Sequence, residues 1–320
     1  MKPNLLRQKL DQGLPTIGTR LHNIWPSIVE ALGHTESFDY VEFLAEYAPF
    51  DLPALDNFCR AAELFGMSSI IKIDAEPRAF LAQRGVGAGF QGVLFADVRS
   101  AEDARECVRI CRPDTPEDGG KFSVAMRRFT YMNYGGTAQY AQALRDTVVM
   151  IMIEKHSAVE QLDEILAVEG IDMIQWGPAD YSMNVGRAGE RSHVDISDVE
   201  KYVITTALKA GVQPRAEIGH PNESRYYTDL GVRHFSLGVD LSILFNWWRD
   251  NGEELRCVRV ELEREVEGRL KGLPGFAAVA HHETAVDHNA RPAGVAGELA
   301  DLPDGGALLD IVQDGLVAAL

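Results

Sequence analysis

Short apolar runs alternate with helix-forming stretches along most of the chain, and this alternation limits the fold more than any other feature. The runs fall at residues 16–21, 40–45, 69–73, 92–96, 148–154, 173–176, 214–218 and 234–238. Helical spacing or capping marks 25–32, 55–65, 77–83, 101–112, 137–145, 158–168, 198–210 and 222–230. Strands that are apolar on both faces need cover on both faces, and alternating helices supply it. Eight such units over about 240 residues predict an α/β fold, a closed (β/α)8 TIM barrel, with an open doubly wound sheet as the alternative. No GxGxxG follows the first run, so a dinucleotide-binding sheet and a nucleotide cofactor lose their main support.

Beyond the eighth run, 241–248 and 253–271 read as two helices, a C-terminal helical extension. The second is highly charged (RVELEREVEGRLKG) and reads either as a solvated face or as an arm on a neighbouring subunit. This divides the chain into a barrel domain at 1–250, a charged helix at 251–272, and a tail at 273–320. The tail is a linker rich in Ala, Gly, Pro and His, followed by an apolar helix at 307–320. His281, His282 and His288 lie in that linker and are not expected to form a dedicated metal site. A net charge of −17 excludes a nucleic-acid-binding surface, which needs clustered Lys and Arg. There is no apolar run near 20 residues and no signal-peptide core, so no membrane partner is expected. Cys107 and Cys111, four residues apart on one helix face, read as buried small side chains rather than zinc ligands. The cysteine pattern fits a reducing compartment, and the chain reads as cytoplasmic.

Active residues of such barrels stand at the C-terminal ends of strands. Here these are Arg20, His22, Glu46, Tyr47, Lys72, Asp74, Asp97, Glu154, Asp180, Glu217 and Asp240. Residues 149–186 single out two of them. VMIMI runs into Glu154, a helix follows, and MIQWGPA runs into Asp180, 26 residues on, which is one βαβ step. Two carboxylates on adjacent strand ends suit Mg²⁺ or Mn²⁺, with Co²⁺ a further option. The Gly177-Pro178-Ala179-Asp180 loop makes a tight turn whose N–H groups can hold a substrate carboxylate. A metal there would chelate a 2-oxo acid and stabilise its enolate, the requirement of a metal-dependent aldol reaction. Lys72, the only strand-end lysine, leaves open a Schiff-base route.

The same stretch, together with LGVRHFSLGVD at 230–240, GAGFQGVLFADVRSAEDARECV at 87–108, TIGTRL near the start and EYAP at 46–49, resembles the HpcH/HpaI aldolase family. The resemblance spans residues 8–249. It implies a (β/α)8 barrel of the phosphoenolpyruvate/pyruvate type, metal ligands at Glu154 and Asp180, and substrate contacts from Gly177, Pro178, Ala179 and Asp180. It also implies a homo-oligomer, a hexamer or trimer, built by exchange of a C-terminal helix. The sequence departs from the family pattern across the mouth. Tyr47 replaces the histidine of EHAP, Lys72 replaces an enolate-stabilising arginine, and Leu44, Met152 and Gly87 replace three polar residues.

The function these readings imply is a metal-dependent carbon–carbon lyase. It cleaves or forms a 4-hydroxy-2-oxo acid through a pyruvate enolate, with a small-molecule 2-oxo acid and an aldehyde as partners. Lys72 would stabilise the enolate, and Tyr47 or a metal-bound water would handle the proton. A decarboxylase or biosynthetic lyase on an oxaloacetate-like acid is one alternative, and a non-catalytic 2-oxo-acid-binding relative is the other.

Overall fold

The computed structural model describes residues 2–126 and 128–271, except the side chain of Leu270. The elements run in this order: α1 (Leu5–Asp11), β1 (Thr16–Leu21), α2 (Pro26–Gly33), β2 (Tyr40–Leu44), α3 (Leu52–Leu64), β3 (Ser68–Ile73), α4 (Arg78–Ala88), β4 (Gly92–Phe95), α5 (Ala101–Cys111), α6 (Ala138–Arg145), β5 (Val148–Ile153), α7 (His156–Glu160), α8 (Leu162–Leu166), β6 (Met173–Trp176), α9 (Pro178–Asn184), α10 (Val194–Ala210), β7 (Gln213–Ile218), α11 (Ser224–Leu230), β8 (His234–Val239) and α12 (Asp240–Lys271). The eight strands pair in sequence order, all parallel. β8 closes on β1 through Thr16↔His234, so the sheet is a barrel rather than an open doubly wound sheet.

The strand pleat sorts side chains into two sets. Val41, Phe43, Ile71, Val93, Val149 and Ile151 face the helices and join one large core with Phe58, Phe90 and Ile110. Tyr40, Ile70, Leu94, Met150 and Met173 face the barrel interior. Leu6 of α1 is fully buried in that interior cluster. Asn4 caps α1, and its amide also donates to the carbonyls of Gln91 and Asp146, while Arg7 reaches Asp172 at 2.6 Å. Cys107 and Cys111 are buried on α5, and Ser100 caps that helix through the Asp103 N–H, both as the spacing implies.

α4 runs five residues beyond its expected end and α10 begins four residues early, and three larger differences follow. The helix expected at 158–168 is two short helices, because the backbone at Gln161 leaves helical geometry (φ −104°, ψ 23°). The Gly-Pro loop is the start of a helix: Gly177 is the N-cap and Pro178 begins α9, where its fixed φ suits the first turn. The two helices expected after β8 are one, α12. Gly252 in its interior costs about 1 kcal/mol against alanine, and pairs such as Arg259–Glu263 and Lys271–Glu267 offset part of that. Compact contacts divide the chain into Met1–Cys257, which holds the barrel, and Val258–Leu320. Of the latter, the described part is helical. The expected linker, its three histidines and the terminal apolar helix lie outside the described residues. No helix among the described residues is long and apolar enough to cross a membrane.

Candidate active site

The predicted strand-end residues gather into four clusters at the C-terminal mouth. The first is built on the β5–β6 pair, where Ile153 lies opposite Trp176. Glu154 is the next residue and only 3% exposed. Its Oε1 accepts the Asp97 N–H at 2.8 Å. Asp97 can aim that N–H because it sits in the left-handed region (φ 57°), an uncommon conformation for a residue with a side chain. The Asp97 carboxylate meets the Lys155 ammonium at 2.5 Å, and Lys155 reaches Asp180 at 3.4 Å. Burial pushes the Glu154 carboxyl up to about 7. The Asp97 N–H and the charges of Lys72 and Lys155 oppose that rise, and the negative charge of Asp180 adds to it. Asp180 stands in the first turn of α9, where a carboxylate complements the helix dipole.

Gly177 is what allows Glu154 to lie here. A Cβ on Gly177 would fall 2.6 Å from Glu154 Oε2 and 2.9 Å from Met152 Cε. The absent side chain leaves the second carboxylate oxygen a clear approach. Among the described residues, no three His, Cys, Asp or Glu side chains gather as a metal cage. Two oxygen donors with an open side fit Mg²⁺ or Mn²⁺, which keep water and substrate oxygens in their shells, and do not fit a closed zinc site. Gly177→Ala is expected to weaken Mn²⁺ binding about tenfold in a calorimetric titration. Unchanged affinity would show that Glu154 does not need this space.

The second cluster lies across the mouth, on β2 and β3. Lys72, 6% exposed, donates to the Tyr47 hydroxyl at 2.6 Å and pairs with Glu46 at 2.7 Å. Burial opposes the ammonium, but Tyr47 and Glu46 outweigh it and hold the Lys72 pKa above its ordinary value. Partial burial raises Tyr47 to about 12 against the pull of Lys72. Lys72 therefore keeps its proton and Tyr47 keeps its own.

The third cluster fills one side of the barrel interior. Arg215 and Glu42, both fully buried, form an ion pair. Arg215 Nε also donates to Gln175 at 2.6 Å, Gln175 donates to Glu217 at 2.5 Å, and Glu217 pairs with Arg20. The fourth joins His22 to Asp240, 3.5 Å apart. Asp74 belongs to none of the four. A cavity of about 590 Å³ is lined by Arg20, Trp176, Pro178 and Glu217, with Arg191 and Ser192 from the loop between α9 and α10.

Lys155 is the site residue that strand logic missed. Directly after an inward-facing Glu154, alternation would turn it outward. The strand ends at Ile153, and the turn brings it back over the carboxylates.

Residues 26–246 match the family described as HpcH/HpaI aldolase/citrate lyase. The chain belongs to that family. It is similar to the hydroxypyruvate/pyruvate aldolase of Paraburkholderia phytofirmans, 24% identical over 257 residues, which cover 79% of this chain and 98% of that one. The 4-hydroxy-2-oxo-heptane-1,7-dioate aldolase of Escherichia coli is 26% identical over 242 residues, covering 75% and 90%. Among solved structures, the HpcH/HpaI aldolase of Desulfitobacterium hafniense superposes with a TM-score of 0.71 at 24% identity, covering 86% of this chain and all of that one. A family protein of Burkholderia cenocepacia gives 0.70 at 28% identity, covering 79% and 100%. The family and the barrel agree with the resemblance read from the sequence, and the chain is a lyase enzyme of the aldolase class.

Proposed function

We propose that this enzyme cleaves or forms a 4-hydroxy-2-oxo acid through a pyruvate enolate, with a divalent cation held by Glu154 and Asp180. The observation that carries this reading is the carboxylate pair itself. Glu154 is buried and oriented by one N–H, with a free oxygen over Gly177, and Asp180, in the first turn of the helix that follows the adjacent strand, is near enough for its negative charge to raise the Glu154 pKa. A bound Mg²⁺ or Mn²⁺ supplies Lewis-acid polarisation of the 2-oxo group. Gly177, Pro178, Ala179 and Asp180 form the first turn of α9; the Gly177 N–H is taken by the Ile153 carbonyl and Pro178 has none, so the N–H groups of Ala179 and Asp180 are the ones open to a substrate carboxylate. Lys72 brings a fixed positive charge to the mouth for the enolate oxygen. Held as an ammonium by Glu46 and Tyr47, it is poorly suited to form a Schiff base. Tyr47 fixes the direction of that ammonium. The names of the relatives, aldolases of hydroxypyruvate/pyruvate and of a 4-hydroxy-2-oxo acid, support the same substrate class.

Purified enzyme is expected to release pyruvate from a 4-hydroxy-2-oxo acid in the presence of Mn²⁺ or Mg²⁺, and chelation is expected to stop it. A lactate-dehydrogenase-coupled assay reads this directly. Turnover on oxaloacetate with none on any aldol would turn the reading to a decarboxylase. Pyruvate binding without either reaction would turn it to a binding protein.

The assembly we propose is a homo-oligomer in which residues 251–272 act as an exchanged arm beside a catalytic body at 1–250. The support is an uncovered apolar stripe at the start of α12. Leu241, Phe245 and Trp248 share one helix face and are 51%, 62% and 61% exposed. On the barrel, Ile17 of β1 is 45% exposed on the side where strands are otherwise covered. Trp248→Asp is expected to shift the particle to smaller mass in light scattering. An unchanged mass would remove this assignment. Three buried cysteines without disulfides accord with a reducing cytoplasm.

A further inference from the structure

His22 follows β1 and stands at the mouth beside Tyr47, with ring centroids 6.0 Å apart and planes tilted by 47°. Its side chain is 27% exposed. The buried ring nitrogen is Nδ1, which has no hydrogen-bond partner and lies 3.5 Å from Asp240 Oδ1. Asp240 cannot swing away. It accepts the backbone N–H groups of His22 at 2.8 Å, Asn23 at 2.9 Å and Leu241 at 2.8 Å. A small turn of the imidazole would complete an Nδ1–H···Oδ1 bond, the kind of apo gap that tightens when substrate binds. A histidine held this way presents Nε2 as its free base. Across the mouth, the two groups nearest to it are already committed. Lys72 is a paired ammonium, and the Tyr47 hydroxyl already takes a hydrogen bond from it.

We propose that His22, oriented by Asp240, is the acid–base group of this site. The assignment rests on the lyase reading above. In the cleavage direction Nε2 takes the proton of the substrate's 4-hydroxyl, so an O–H bond breaks and an N–H bond forms. The oxygen's electron pair becomes the carbonyl of the departing aldehyde. The C3–C4 bond breaks, and its electron pair moves into the 2-oxo group as an enolate. His22 then returns the proton to C3, which becomes the methyl group of pyruvate. In this scheme Asp240 and Tyr47 are positioning residues: one fixes the tautomer of His22, and the other keeps the Lys72 charge in place.

The test is exchange of the pyruvate methyl protons in D₂O with Mn²⁺ present, followed by NMR. His22→Ala is expected to exchange about a hundredfold to a thousandfold more slowly than wild type, with Mn²⁺ and pyruvate affinities within about twofold, and added imidazole is expected to restore part of the rate. His22→Gln, which keeps the bulk of the ring position, is expected to show the same loss and a wild-type melting curve. Exchange at the wild-type rate in both variants, or a folded His22→Ala that imidazole does not rescue, would overturn the assignment and leave the lyase reading standing. Absence of both exchange and cleavage in the wild type would overturn the lyase reading and this assignment with it.

Discussion

Glu154→Gln is expected to abolish turnover and, without metal, to make the protein more stable at pH 8. The activity loss is expected to be about a thousandfold or more, because the amide keeps the shape but loses the charge that, in the proposed site, holds the cation. The stability gain follows from the raised pKa. Burial moves the Glu154 carboxyl from the ordinary 4.5 to about 7. The folded protein thus binds this proton more tightly than the unfolded chain does. Its contribution to stability is fully present below pH 4.5 and is lost as pH rises through 7. The loss above pH 7 is about 3 kcal/mol at most, taken at about 1.4 kcal/mol per pH unit. Urea unfolding of the metal-free proteins should therefore show the variant ahead of wild type at pH 8 and level with it at pH 4. Added Mn²⁺ should reverse the order at pH 8, since a ligand at a hundred times its Kd adds about 2.7 kcal/mol to wild type alone. A variant that is less stable than wild type at pH 8 without metal would show that Glu154 serves the fold rather than the site.

Arg215→Met is expected to lower stability by about 3–5 kcal/mol. Arg215 and Glu42 are both fully buried in the barrel, and Arg215 Nε also bonds Gln175. Removing the cation leaves Glu42 as an uncompensated charge, and Glu42 Oε1 already lacks a hydrogen-bond partner. The pair is costly to break but contributes little against an apolar replacement of both residues. The double variant Glu42→Leu with Arg215→Met is therefore expected to regain most of the loss. Denaturant unfolding of wild type, both single variants and the double variant closes the cycle. Additive losses would refute the coupling.

The fold was legible because each strand announces itself locally. VVMIMI of β5 and SSIIKI of β3 are buried along their whole length, and an amphipathic helix follows or precedes every such run. Helix ends were legible where one residue type meets a backbone requirement. Gly211 ends α10 in the left-handed region, as its position implied. Boundaries set by packing were not legible. The break at Gln161 and the unbroken passage of α12 through Gly252 depend on neighbours that local propensity does not describe.

The candidate site divides along the same line. The sequence by itself placed Glu154 and Asp180 at one rim, because one βαβ step brings consecutive strand ends together, although Asp180 stands in the first turn of α9 rather than on the strand end. It also showed Tyr47 and Lys72 across the mouth, because register follows from strand order. Only the tertiary structure decided what these groups meet. It turned Lys155 back onto Asp97 and Asp180, joined Lys72 to Glu46 and Tyr47, and brought His22 to Asp240 from the two strands that close the barrel. The physical reason is that strand spacing is local and periodic, whereas a side chain's charge partner depends on barrel closure, which brings residues more than 200 positions apart to the same rim.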